Sequence, residues 1–281
     1  MRRLIVTADD FGLAAEVNEA VEQAHRHGVL SAASLMVAAP AAAPAVALAR
    51  RLPGLRVGLH LTLVEDWPAL PAADIPSLTD GSGRLRTDLA AYGFAIFSRP
   101  AVRRQVAGEI RAQFEAFRAT GLVLDHVDAH QHFHLHPTVL GAILAIGHAY
   151  GMKALRVPAE PPRMLAAVEP SRRGLAPRIA SPWAALMRRQ VRGAGLTVAD
   201  RVLGLAWSGA MTEARLAGLI AQLPPGLTEI YCHPATAGGF AGAAPGYRYR
   251  DELTALMSPR VAGALARSGA RLCGYGDSAP N

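Results

Sequence analysis

The sequence predicts an α/β fold on a parallel sheet, with closure of that sheet into a barrel as the favoured form. Three observations lead there. Short apolar runs alternate with amphipathic stretches of helical period along the chain. The 281 residues, 51% of them hydrophobic, suffice for one barrel-sized core. The most chemically active side chains fall at the C-terminal ends of the predicted strands, the rim where active sites of parallel barrels gather. Alternation alone also admits an open, doubly wound sheet.

In chain order, Leu4 to Ala8 is a short apolar run with turn chemistry directly after it, a buried strand. Leu13, Val17, Ala20, Val21 and Ala24 then share one helical face, and Gly28 stands at a C-cap position. A strand at Ser34 to Val37 precedes an Ala-rich helix ending near Pro53-Gly54, and Leu55 to Leu63 is the third strand. Residues 66–98, full of Pro, Gly and Asp, read as a long excursion. Val102, Val106, Ile110, Phe114 and Phe117 mark a helix from about Pro100 to Thr120. A strand over Leu122 to Ala129, a helix over Pro137 to Tyr150 and a strand over Ala154 to Val157 follow. Residues 160–200 are basic, apolar and rich in proline, an insertion without a readable period. Beyond it come a helix near Glu213 to Gln222, a strand at Glu229 to Cys232, a helix at Arg250 to Arg267 and a last strand at Arg271 to Gly274.

Composition excludes several classes. No apolar run approaches the roughly 18 residues of a membrane span, and the apolar run after Met1-Arg2-Arg3 is too short for a signal peptide, so a cytoplasmic protein is expected. The net charge of +7 is local: between Arg163 and Asp200, seven arginines face Glu169 and Asp200. No aromatics interleave with them and no nucleic-acid motif is present, so no nucleic-acid partner is expected. Cys232 and Cys273 form no CxxC pair and read as buried small hydrophobes.

Three places carry chemistry: Asp9-Asp10, His60, and the run Asp125 to His136. In a continuing strand, His126, Asp128, His130, His132, His134 and His136 share one face. An inward polar face needs something to satisfy it, and a divalent metal held by carboxylate and imidazole does so economically. Taken alone, Asp9-Asp10 also fits helix capping and His60 a satisfied core histidine. What favours a site is that all three places, together with Tyr231-Cys232-His233-Pro234, sit at strand ends. No GxSxG elbow, P-loop, GxGxxG or HExxH competes.

The segments Leu4-Ile5-Val6-Thr7-Ala8-Asp9-Asp10-Phe11-Gly12, Gly58-Leu59-His60-Leu61, the histidine run and Tyr231-Cys232-His233-Pro234 together resemble the YdjC/ChbG carbohydrate deacetylases, in order and across the chain. Leu52-Pro53-Gly54-Leu55-Arg56-Val57, Arg99-Pro100-Ala101-Val102-Arg103 and His130-Gln131-His132-Phe133-His134 look most like the hopanoid-biosynthesis-associated branch, HpnK. The resemblance implies a single distorted (β/α) TIM-like barrel over residues 1–281, as in the NodB-like deacetylases, carrying 160–200 as an insertion. It implies a metal-dependent hydrolase removing the N-acetyl group of an N-acetylglucosamine-type sugar on a glycosylated hopanoid lipid. A soluble chitooligosaccharide and, from another class, a barrel metallophosphoesterase are the alternatives. Carried over residue by residue, Asp10, His60 and His130 hold one divalent ion (Mg or Zn, with Mn, Co and Ni admitted), and Asp9 is the general base. Gln131 departs from the histidine that ChbG-like members carry there, which puts a role for that position in doubt. His233 is chosen as the acid for the leaving amine, with His132 second. His132, His134 and Arg156 are assigned to substrate contact. Peripheral contact with the inner face of the membrane, through an apolar surface of the insertion holding Leu165, Leu175, Ile179, Trp183, Leu186 and Met187 among arginines, and a homodimer complete the expected partners.

Overall fold

The computed structural model describes residues 1–170 and 176–278. Its elements are β1 (Arg2–Phe11), α1 (Ala15–His27), β2 (Ala32–Leu35), α2 (Ala42–Arg50), β3 (Arg56–Leu61), α3 (Leu89–Ser98), α4 (Pro100–Ala119), β4 (Val127–Ala129) and α5 (Pro137–Gly147). Then come α6 (Pro162–Val168), α7 (Ala176–Gly193), β5 (Arg201–Leu203), α8 (Glu213–Ala221), β6 (Gly226–Cys232), α9 (Tyr249–Leu256), α10 (Pro259–Ser268) and β7 (Arg271–Leu272). Every strand pairing is parallel, in the order β4-β3-β2-β1-β6-β5, and β7 joins β1 at Arg3 and Leu4. Among the described residues no helix is long and apolar enough to cross a membrane.

The sheet curls through 236° over six strands and stops short of a closed barrel. The seam lies where a strand over Ala154 to Val157 was expected. There the chain makes only isolated bridges, Val127 to Leu155, Ala154 to Thr197 and Ala159 to Val202. Pro158, Pro161 and Pro162 follow closely, and residues without a backbone N–H cannot extend a ladder. The strand expected from Leu122 begins only at Val127, and the helix expected over Arg250 to Arg267 breaks at Ser258-Pro259, where the Ser258 hydroxyl caps α10. The excursion contains α3, and the insertion contains α6, α7 and, just beyond it, β5. Leu175 and the side chain of Ile179, expected on an apolar surface of the insertion, lie outside the described residues.

Alternation along each strand separates two environments. Leu4, Val6 and Ala8 join the large core beneath the helices, as do Val57, Leu59, Leu61, Val127 and Ala129. Ile5, Leu227 and Tyr231 join a smaller cluster inside the curl with Ala32, Ala154, Val202 and Tyr275. The same period of two puts Thr7, Asp9, Ser34, His60, Asp128 and Glu229 on the lumen side. The lumen is therefore apolar at its base and polar at the C-terminal rim.

Gly58 is required by this arrangement. A Cβ there would lie 2.5 Å from the His126 ring. That ring is fixed at both ends, by Asp125 Oδ2 at 2.9 Å and Ser34 Oγ at 3.1 Å, and has no exposure. Gly58→Ala should therefore destabilise the protein by about 1–3 kcal/mol through overpacking, read as a lower urea midpoint at unchanged slope.

Candidate active site

Asp10 follows Asp9 on β1 with φ 62°, a left-handed conformation that turns its carboxylate to the rim. His60 comes from β3, with Nδ1 2.9 Å from Asp128 Oδ1 and Nε2 3.3 Å from Asp10 Oδ1. His130 brings Nδ1 to within 3.2 Å of the same Asp10 oxygen. One donor atom from each of Asp10, His60 and His130 lies within 4.8 Å of the others, a spacing that can hold one cation. A second such group, Asp9, His60 and Asp128, is less suited, because a guanidinium already binds both of its carboxylates.

That guanidinium belongs to Arg156, which has no exposed surface. Nη1 and Nη2 grip Asp9 at 2.7 and 2.8 Å, Nη1 also meets Asp128 at 2.5 Å, and Nε and Nη2 reach Glu229 Oε1 at 3.0 and 2.8 Å. Glu229 takes further hydrogen bonds from Thr7 Oγ1 at 2.7 Å and Tyr275 OH at 2.6 Å. Burial favours the neutral form of Arg156, but Asp128, Asp9 and Glu229 outweigh it and raise its pKa well above the usual value.

The imidazoles divide into two kinds. Burial lowers the pKa of His60, but Asp128 and Asp10 more than reverse that and hold it well up. His130 is likewise desolvated, yet Asp10 and Glu65 raise it to about 9. Burial would push the Asp10 carboxyl up, and the His130 and His60 contacts hold it well below the carboxylate range. His132 and His134 are instead depressed, first by burial and then by neighbouring positive charge, His134 to about 4. His132 Nε2 sits 2.9 Å from Tyr231 OH, and neither ring nitrogen of His134 finds a hydrogen bond of ordinary geometry.

The histidine run does not continue as a strand. β4 stops at Ala129, and His130 to Leu135 turn in a 3-10 conformation with Gln131 and His132 at φ 54° and 51°. The expected single face breaks there. A cleft of about 590 Å3 opens over Asp9, Asp10, His60, His130, His132 and His233. His134 and Arg156, expected at the substrate, lie behind its wall. Helix capping by Asp9 or Asp10 is absent: the residue before α1 is Ala14, with no side-chain cap. The His233 ring stands edge-on to Tyr247 at 5.0 Å, and its backbone N–H donates to Glu252.

Sequence reasoning passed over Glu65, Glu229 and the Tyr231 hydroxyl. Glu229 and Tyr231 stand in a segment singled out for His233, and period-two alternation from Tyr231 would have turned both inward. Glu65 carried no signal, because its place depends on a turn.

His134 gives a pH test of its neutral burial. Its folded pKa of about 4 lies below the ordinary 6.5, so between these values the unfolded chain binds more protons and stability falls as pH falls. Relative to His134→Leu, which lacks this linkage, the wild type should lose about 3 kcal/mol between pH 6.5 and 4, measured by paired denaturant titrations.

Several known proteins are similar to this chain in sequence or in structure. A carbohydrate deacetylase of Geobacillus stearothermophilus is 30% identical over 98% of this chain and 97% of its own length. A carbohydrate deacetylase of Brevibacillus brevis is 43% identical, but that match spans 53% of this chain and only 56% of the relative. The crystal structure of an Enterococcus faecalis V583 protein, provisionally described as a cellobiose-phosphate cleavage protein, superposes with a TM-score of 0.77 at 26% identity, covering 99% of each chain. A family model described as YdjC-like protein matches residues 3–267, which takes in every strand from β2 to β6 and every side chain that converges on the cleft. The chain belongs to the YdjC-like family.

Proposed function

We propose that the protein is a metal-dependent carbohydrate N-deacetylase acting on an N-acetylglucosamine-type sugar. The observation that carries the reading is the convergence of Asp10, His60 and His130 on one point of an open cleft, beside an Asp9 gripped at both oxygens. The carbohydrate deacetylase of G. stearothermophilus, matched over nearly its whole length, supports the same chemistry.

The donor set suits a divalent ion: one buried carboxylate, Asp10, and two imidazoles, none of them engaged by the arginine that holds Asp9, Asp128 and Glu229. When bound, such an ion supplies Lewis acidity, polarising the acetyl carbonyl and lowering the pKa of water from about 15.7 towards about 7. Asp9 takes the proton of the attacking water, and the two-pronged contact from Arg156 fixes the direction in which its oxygens point. Asp128 fixes the His60 ring from behind. The leaving amine takes a proton from His233, which lines the cleft. Burial holds the pKa of His132 well below its ordinary value, so near pH 7 it is neutral and carries no imidazolium proton to give. It can still donate one hydrogen bond toward substrate or toward Tyr231.

For the acceptor we favour a lipid-linked sugar, as the HpnK likeness implies, over a soluble chitooligosaccharide. An apolar groove of about 580 Å3, lined by Leu135, Pro158, Ala159, Trp183 and Ala184, meets the cleft at Leu205. Along α7, Leu186 is exposed beside Arg188, Arg189 and Arg192, whereas Met187 turns into the core. This supports the 160–200 stretch as the specificity element of one deacetylase domain, with the protein in the cytoplasm at the inner membrane face. The metallophosphoesterase alternative gains nothing: no second cluster free of Arg156 stands among the described residues.

Asp9→Asn should abolish acetate release while metal content stays near wild type, and retention of most activity would place the base elsewhere. With metal analysis on the same sample, acetate release from an N-acetylglucosaminyl lipid should exceed that from chitooligosaccharide, and the protein should float with anionic liposomes. Equal turnover without flotation rejects the lipid-linked acceptor, and phosphate release from a generic ester without acetate release rejects deacetylation.

A further inference from the structure

We propose that Glu65 is the positioning carboxylate of His130, the counterpart of Asp128 behind His60. The inference rests on the reading of Asp10, His60 and His130 as the cation site.

Each imidazole of that site uses one ring nitrogen toward Asp10 and has the other to spare. On His60 the spare nitrogen meets Asp128 at 2.9 Å. On His130, Nδ1 faces Asp10 and Nε2 meets Glu65 Oε2 at 3.3 Å. A carboxylate on the far nitrogen fixes the tautomer and ring plane of a metal-binding histidine and strengthens the nitrogen that faces the metal. The same Glu65 oxygen accepts from Gln131 Nε2 at 3.2 Å, so one group ties down both the ligand and its neighbour.

The backbone indicates that Glu65 is held there against its own preference. Among the described residues, the non-glycine positions with left-handed φ are Asp10, Glu65, Gln131 and His132, and all four line the cleft. Glu65 has φ 72°. Its turn is pinned by Asp66 N to Val64 O at 2.9 Å, Glu65 N to Arg86 O at 3.1 Å and Arg84 Nη2 to Glu65 O at 3.2 Å. Glycine would take this conformation without a Cβ penalty, so the position carries a carboxylate where the backbone favours its absence. Strain of this kind concentrates where a side chain is needed at a site.

Two substitutions separate this role from a structural one. Glu65→Gly suits the turn but removes the carboxylate, and Glu65→Gln keeps an oxygen able to accept from the imidazole N–H. Cobalt(II) is titrated calorimetrically into chelator-stripped protein, with thermal midpoints of the stripped forms and the visible spectrum of the loaded ones. Glu65→Gly should bind cobalt about 10–100-fold more weakly than wild type while its stripped midpoint is unchanged or raised. Glu65→Gln should recover most of that loss, and both variants should keep the wild-type spectrum. Unchanged affinity in Glu65→Gly overturns the proposal. A changed spectrum with equal losses in both variants also overturns it, by making Glu65 a direct ligand. Wild-type protein that takes up no cobalt removes the cation site itself, a result distinct from a wild type that binds and a Glu65→Gly that binds equally well.

Discussion

A single guanidinium allows this lumen to exist. Asp9, Asp128 and Glu229 reach it from β1, β4 and β6, and none is more than 3% exposed. Desolvating three carboxylates side by side is prohibitive without compensation. Arg156 provides it with a planar, forked donor set that a lysine could not match. Such clusters contribute little net stability compared with an apolar lumen, but removing one member leaves stranded charge and costs about 3–5 kcal/mol. The arginine sits in the irregular seam, where the chain makes only isolated bridges. The most demanding electrostatic contact thus belongs to the least regular stretch of the wall.

The chemistry-bearing residues were legible in the sequence because their types are costly to bury in apolar runs. Asp9-Asp10, His60 and the histidine run are marked further by their place at strand ends, the resemblance selects Asp10, His60 and His130 among them, and the structure brings those three together around one point. Less legible was anything set by backbone geometry. Nothing local shows that the strand through Asp128 ends at Ala129, or that Gln131 and His132 adopt left-handed φ, so the histidines were laid along one face that does not exist. No motif or spacing in the sequence marks what Arg156 faces. Only its three-dimensional company shows it facing the acids. Closure of the sheet was overestimated for a similar reason: apolar character at Ala154 to Val157 looks like a strand until the prolines beyond it are weighed against the ladder they cannot join.

The two populations of imidazole share one origin. Near Asp10, Asp128 and Glu65, carboxylates outweigh burial and favour charge or a bound cation. Two and four residues further along the run, burial and the Arg156 charge act in the same direction and keep His132 and His134 neutral. One stretch of seven residues, His130 to His136, therefore spans an electrostatic boundary, set by which acids lie beneath each ring rather than by the rings themselves.

The base of the lumen is closed by the far end of the chain. β7 lies against the start of β1, Asp125 accepts backbone N–H groups from Tyr275 and Gly276, and the Tyr275 hydroxyl holds Glu229, which in turn holds Arg156. The strand bearing Asp9 lies more than two hundred residues before these partners, β6 and β7. Contacts so distant along the chain form late. A polypeptide holding every candidate metal ligand but lacking residues 271–276 would still lack the floor that orients its acids, so the ligand set and the competence for chemistry are separable parts of the chain.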